Sequence, residues 1–195
     1  MSTARSRLQQ RVSAAILEAA AEVLATRGEQ ASMADVAAAA GVGRATVYRY
    51  FPNRQALLDE LGQFALRDAH ERLLAASLDK VSVEEGVSRA VRALVGVGDY
   101  FVVLTRERVH PTPEEVEASL GSPLRALFER GQANGEIRDD VPASWLAESL
   151  RGLVVGVLVA PAFLGTEDTI AAITSLFLDG SRARAASSTH AAEVA

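Results

Sequence analysis

Between Ser32 and Arg54 the chain reads SMADVAAAAGVGRATVYRYFPNR, and this stretch limits the fold more than any other. Ser32 has the hydroxyl that caps a helix N-terminus, and Gly41 suits a helix C-cap, so a first short helix lies between them. A second short helix runs from Gly43 or Arg44 to Tyr50. Pro52 stops it, because the residue before a proline is pushed out of the helical region. Asn53 then caps a third helix. Two helices joined by a three- or four-residue glycine-bearing turn form a helix-turn-helix, the pattern that lays its second helix in the DNA major groove. That second helix carries Arg44, Thr46, Tyr48, Arg49 and Tyr50 and no acid, which suits a surface placed against phosphates.

The overall charge looks wrong for such a surface, since 20 basic residues face 25 acids for a net −5. Its distribution removes the conflict. Residues 1–54 hold seven arginines against four acids, and residues 55–195 hold thirteen basic residues against twenty-one acids. A basic N-terminal unit therefore sits on an acidic body, the asymmetry expected when only one part meets phosphate. The 195 residues suffice for one or two domains. Strand signals are nearly absent and alanine and leucine dominate, so the expected fold is all-α.

Along the chain, a first helix is expected from about Arg7 to Arg27, with Leu8, Val12, Ile16, Ala19, Ala20 and Val23 on one face. A long helix should start at Asn53 and run to about Leu78, burying Leu57, Leu58, Leu61, Phe64, Ala65, Ala69 and Leu73. It leaves the N-terminal unit and enters the body. Ser82 and Glu85 have capping-box spacing for the next helix. Gly96 and Gly98 weaken that helix, and Asp99–Glu107 reads as a separate short one. A helix from Glu114 to about Asn134 is bent near Gly121, Ser122 and Pro123. Another spans Pro142 to about Leu164, kinked or ended by Pro161, and Thr166 caps the last, about Glu167 to Arg184. The expected division is a DNA-binding unit at 1–54, a ligand-binding and dimerisation body at 55–184, and a disordered tail at 185–195.

Several classes find no support in the residues. There is no cysteine for disulfides or thiolate metal sites. His70, His110 and His190 are widely separated, Gly41-Val42-Gly43 lacks the third glycine of a dinucleotide fingerprint, and no P-loop or nucleophile elbow is present. No enzyme activity, cofactor or metal is therefore expected. The longest apolar run, Leu153 to Gly165, is interrupted by Pro161 and too short to span a bilayer. The polar, arginine-bearing N-terminus lacks the apolar core of a signal peptide, so a cytoplasmic location and no membrane partner are expected.

Residues 32–58 resemble the DNA-binding signature of TetR-family transcriptional regulators. The matching elements are Ser32-Met33, Asp35-Val36-Ala37, Ala40-Gly41-Val42, the run from Thr46 to Arg54, and Leu57-Leu58. Likeness in sequence covers roughly residues 8–60, and the rest matches in length, helical content and order of elements. The resemblance implies a three-helix helix-turn-helix domain joined to a helical ligand-binding and dimerisation domain. It also implies a homodimer paired through its last two helices, and a repressor released from a palindromic double-stranded DNA operator by a small-molecule effector. The alternatives are the same DNA-binding role without a small-molecule ligand, protein-controlled or constitutive, or an activator. Many members carry a polar or charged side chain at the position of Ala34, so here the first short helix offers only backbone or Ser32.

For DNA contact the candidates are Ser32, Arg44, Thr46, Tyr48, Arg49, Tyr50, Asn53 and Arg54. Arg44 suits bidentate bonding to guanine, with a phosphate contact as its other role. Thr46 and Tyr48 have hydroxyls that fix register on phosphates, and Tyr48 has core packing as its alternative. Arg54 begins a helix whose N-terminus already favours an anion. Arg5, Arg7 and Arg11 are either a basic arm or part of a tail. Ligand-pocket candidates are Leu61, Phe64, His70, Leu94, Tyr100, Phe101, Leu104, His110, Leu124 and Phe128, with ordinary core as the reading to beat. Gly152, Val155, Gly156 and Val159 form a small-residue face, assigned with Ile170, Ile173, Phe177 and Leu178 to a dimer interface. Trp145 is expected at a domain or dimer boundary.

Overall fold

A computed structural model describes residues 2–183, without the side chains of residues 2–6 and 29. The proposed tail at 185–195 and the side chain of Arg5 lie outside the described residues. Ten α-helices follow one another: α1 Ser2–Arg27, α2 Met33–Ala39, α3 Arg44–Tyr50, α4 Arg54–Ala75, α5 Val83–Val95, α6 Gly98–Arg106, α7 Pro113–Val116, α8 Ser122–Ala133, α9 Ala143–Val159 and α10 Thr166–Ser181. A π-helical turn, Glu117–Gly121, joins α7 to α8. Among the described residues no strand forms, apart from one antiparallel bridge between Ile137 and Arg182 that pins the end of α10.

The expected breaks occur close to where the residues place them. Ser82 caps α5 by accepting from the Glu85 amide at 3.3 Å. α9 ends at Val159, two residues before Pro161, as a proline dictates. The last helix differs from expectation: Gly165 holds the cap position and Thr166 is its first residue.

One buried cluster runs from α1 through α10. α4 supplies Leu57, Leu58, Leu61, Ala65, Ala69 and Leu73 to it, as its periodicity indicates, while Phe64 is only half-buried. On α1 the buried face is rotated from the expected one. Ile16, Leu17, Ala20, Ala21 and Leu24 are buried and Leu8 is exposed, because the helix packs against α2, α4 and α6 together. Each buried leucine contributes about 1.5–3 kcal/mol relative to exposure, so this shared interior joins the N-terminal helices firmly to the body. The proposed division at residue 54 falls on the first residue of α4, a helix that runs without a break from one unit into the other.

Two close approaches set the body's packing. A Cβ on Gly86 of α5 would lie 2.6 Å from Leu127 of α8, and one on Gly131 would lie 2.6 Å from Ile137. A side chain at either position would therefore force its neighbour to shift.

Candidate nucleic-acid interface and cavity

The helix-turn-helix is built by local bonds. Ser32 and Asp35 form a reciprocal capping box at the start of α2: the Ser32 hydroxyl accepts from the Asp35 amide, and the Asp35 carboxylate accepts from the Ser32 amide at 2.9 Å. Those bonds to Ser32, reinforced by Arg27, hold the Asp35 carboxyl below the usual carboxylate range. At the other end α2 closes with a Schellman motif. The Val42 amide donates to Ala37 and the Gly41 amide to Ala38, with Gly41 at φ +65°. Only glycine adopts that left-handed conformation cheaply, so Gly41 fixes the angle between α2 and α3. Asn53 accepts from the Ala56 amide at 2.8 Å and starts α4.

On α3 a single side chain, Val47, is fully buried, and Phe51 follows it into the core. Arg44, Tyr48 and Arg49 are exposed, and Thr46 and Tyr50 are half-buried. Tyr48 is 50 % exposed, which removes its core-packing alternative. Arg49 stacks its guanidinium 5.3 Å over the Tyr50 ring, a cation–π contact that holds both side chains on one side of the helix. Arg7 and Arg11 on α1 are exposed as well.

Three candidates are engaged in other work. The Ser32 hydroxyl and the Asn53 side chain serve as helix caps. Arg54, expected at a phosphate, bonds within the subunit. Its Nη1 donates to the Ala31 carbonyl at 2.6 Å, and its Nη2 donates to Glu107 at 2.5 Å and to the Gly28 carbonyl at 3.4 Å. Its guanidinium faces inward because Glu107, at the end of α6, lies beside the α4 N-terminus.

In the body, a cavity of about 580 Å³ opens between the α6–α7 connection, the π-turn, α8 and α9. His110, Val116, Glu117, Leu124, Glu148 and Arg151 are among its walls. A smaller crevice of about 110 Å³, lined by Leu66, Phe101, Leu104, Leu120 and Val155, shares His110, Pro111, Val116 and Arg151 with it. Of the candidate ligand residues, Phe101, Leu104, His110 and Leu124 line this pair of spaces. Phe64 and Tyr100 instead line a polar recess with Glu18, Asp68, Arg72 and Asp99. Burial, and then the nearby Asp68 and Glu18 charges, push the Tyr100 phenol up to about 12, so it stays protonated.

Leu61, Leu94 and Phe128 line none of these spaces; each is fully buried core. His70 also lies away from them. Its Nδ1–H donates to the Ser119 carbonyl at 2.8 Å. In an α-helix that carbonyl would bond the amide of residue 123, but Pro123 has no N–H to offer. His70 offers that carbonyl a side-chain donor from α4. Arg151, Glu117 and Glu148 had no signal in the sequence that set them apart from ordinary surface charges. Their place on the wall follows from the fold of α9 across the π-turn.

The dimer candidates divide. Gly152 and Gly156 are exposed with open space above them, and Val155 and Val159 are half-buried. Ile170, Ile173, Phe177 and Leu178 are buried within the subunit instead, Phe177 against the Phe128 ring at 5.3 Å. Their face of α10 is claimed by α5, which leaves Leu176 on the opposite face at 65 % exposure. Trp145 is exposed.

Fold and surface together define an all-α helix-turn-helix protein with an acid-free arginine and tyrosine face and a separate helical body. Residues 16–61 match the model of bacterial regulatory proteins of the tetR family. The chain is 30 % identical over 137 residues to the HTH-type transcriptional repressor LfrR of Mycolicibacterium smegmatis, covering 70 % of this chain and 72 % of that protein. It is 24 % identical over 176 residues to the HTH-type transcriptional regulator LuxR of Vibrio harveyi, covering 84 % and 85 %. The crystal structure of LfrR in complex with proflavine superposes with a TM-score of 0.72 at 25 % identity, over 87 % of this chain and 96 % of that one. PfmR from Thermus thermophilus superposes at 0.65 with 22 % identity, over 84 % and 97 %. The chain belongs to the TetR family and is a DNA-binding transcriptional regulator. Its relatives are regulators, not enzymes. Among the described residues no helix is long and apolar enough to cross a membrane.

Proposed function

We propose that this regulator is a repressor that grips a palindromic operator as a homodimer through α3 and lets go when a small molecule enters the body. The observation that carries the DNA-facing part is the exposed face of α3, where Arg44, Tyr48 and Arg49 stand free of any acid on the helix that follows the Gly41 turn. Arg44 reads a base, because it is the exposed arginine at the helix start, the part of a recognition helix that meets base edges. Thr46, Tyr48, Arg49 and Tyr50 hold phosphates. Ser32 and Asn53 act first as caps that hold these groups in place. Two copies of α3 in successive major grooves require centres about 34–36 Å apart.

The open face of α9 at Gly152 and Gly156, next to exposed Val157, Phe163, Leu164 and Leu176, supports pairing with a second copy there. Glycines with open space above them let a facing helix approach closely. The effector reading rests on the cavity beside the π-turn, and the proflavine complex of LfrR supplies an analogy for a small-molecule ligand. The segment from Glu107 to Pro111 joins the end of α6 to the cavity wall. Within it Arg108 holds φ +56°, a conformation that L residues other than glycine adopt at a cost of about 1–2 kcal/mol. A bound molecule that favours another arrangement of this segment shifts the protein between states by its differential affinity for them.

Mobility-shift titrations of Arg44→Ala and Tyr48→Ala against a duplex enriched by the wild-type protein from a random-sequence pool test the interface. Arg44→Ala should cost roughly 1–3 kcal/mol and relax preference at one base position. Undiminished affinity and selectivity in both variants would remove α3 from the interface.

A further inference from the structure

We infer that Arg54 is a positioning residue that clamps the helix-turn-helix to the body, and that the charge it serves is Glu107 and not a DNA phosphate. The inference rests on α3 being the DNA-facing helix. One guanidinium reaches three parts of the molecule at once. Its own backbone opens α4, directly after the Pro52 break that ends α3. Its Nη1 and Nη2 donate to the carbonyls of Ala31 and Gly28, in the turn that leads into α2. Its Nε and Nη2 donate to the two carboxylate oxygens of Glu107 at 3.4 and 2.5 Å, 53 residues away on the end of α6.

The surroundings favour this arrangement over a phosphate contact. The Arg54 side chain is 33 % exposed and that of Glu107 15 %, so the pair is partly shielded from salt and water. Turning Arg54 outward would strand a mostly buried carboxylate without its partner, and would leave the Ala31 carbonyl without this donor. The bond is also not alone. Arg106, one residue earlier, donates to the Ala25 carbonyl at 2.7 Å, so the last turn of α6 holds the end of α1 and the lead-in to α2 at two points. Planar bidentate geometry plus two carbonyl acceptors is a task for a guanidinium fork that a lysine ammonium cannot repeat.

The experiment is a set of operator-binding titrations on the full-length protein, with the duplex enriched by the wild-type protein from a random pool, repeated across a salt series. Arg54→Lys, Arg54→Gln, Glu107→Gln and the Arg54→Gln/Glu107→Gln double variant are compared, each checked for folding by thermal melting. Glu107→Gln is isosteric and guards against loss of the fold. If Arg54 positions, all four weaken binding by a similar factor, roughly 5- to 150-fold as for coupling between distinct sites. The double variant is then no worse than either single, and the salt slope stays at the wild-type value. If Arg54 instead holds a phosphate, Arg54→Lys binds like wild type, Arg54→Gln lowers the slope by about 0.9, and Glu107→Gln binds as well or better. Either that pattern or wild-type binding by Glu107→Gln overturns the inference. Arg44→Ala run alongside separates the two levels: its loss of binding keeps α3 on DNA whatever Arg54 does, and its retention removes the underlying reading.

Discussion

Pro52 and Pro123 each remove a backbone donor beside or within a helical segment, and their surroundings differ. At Pro52 the repair is local. The Phe51 amide closes α3 on Val47 at 2.8 Å, and Asn53 caps α4 three residues ahead. Near Pro123 a bond comes from far along the chain. The Ser119 carbonyl accepts from His70, 49 residues away on α4. The same contrast holds for the regions around them. α2 and α3 are fixed by a capping box, a Schellman turn and a proline within about two dozen residues. The body depends on long-range bonds: Gln63 of α4 donates to Glu115 at 2.8 Å, and Arg130 of α8 donates to the carbonyls of Leu78 and Val81. The turn between α2 and α3 is assembled from neighbours in sequence, whereas the body is assembled across the fold.

Variants can sharpen or break this contrast. The largest effect is expected from Phe128→Ala in α8, which removes a fully buried ring packed on Phe177. It should lower stability by about 3–5 kcal/mol in urea unfolding. A loss below about 1 kcal/mol would mean that the body's interior collapses readily around the gap. His70→Leu comes next, because it removes a side-chain donor to the Ser119 carbonyl. A cost of about 1–3 kcal/mol is expected, with faster hydrogen exchange across residues 113–123 and none gained at residues 32–51. Equal loosening of both regions would contradict the separation drawn between them.

Asn53→Ala removes a local cap and should cost about 1 kcal/mol, seen as fraying of the first turn of α4. Its effect should not reach the π-turn. The mildest effect is that of acid. Asp35 is held below the ordinary carboxylate range by Ser32, and Glu115 likewise by the Thr112 amide and then Gln63. Groups with depressed values contribute fully above their unfolded values and lose that contribution as pH falls through the folded ones. Lowering pH below about 4 should therefore loosen the starts of α2 and α7, read by amide exchange. Tighter amides in acid would reverse the sign and refute the assignment.

Which candidate residues were legible follows the same line. The caps Ser32 and Asn53, the turn at Gly41 and the exposed positions of α3 all rest on signals within one turn of the residue concerned. The partners of Arg54, namely Glu107 and the carbonyls of Gly28 and Ala31, are brought to it only by folding. Ile170, Ile173, Phe177 and Leu178 were recognisable as one apolar face of α10, but a helical stripe does not say whether α5 or a second copy will cover it. Leu61, Leu94 and Phe128 posed the same question between core and cavity, and close packing decided for core.

The sequence alone determined the all-α class, the helix-turn-helix with its caps, the acid-free face of α3 and the basic-on-acidic division of charge. Each of these is a property of neighbouring residues or of composition, where backbone geometry and local hydrogen bonding decide. Tertiary structure alone decided the partner of Arg54, the π-turn held by His70, the walls of the cavity and the inward face of α10. These depend on which distant segments meet, and the periodicity of one helix does not carry that information.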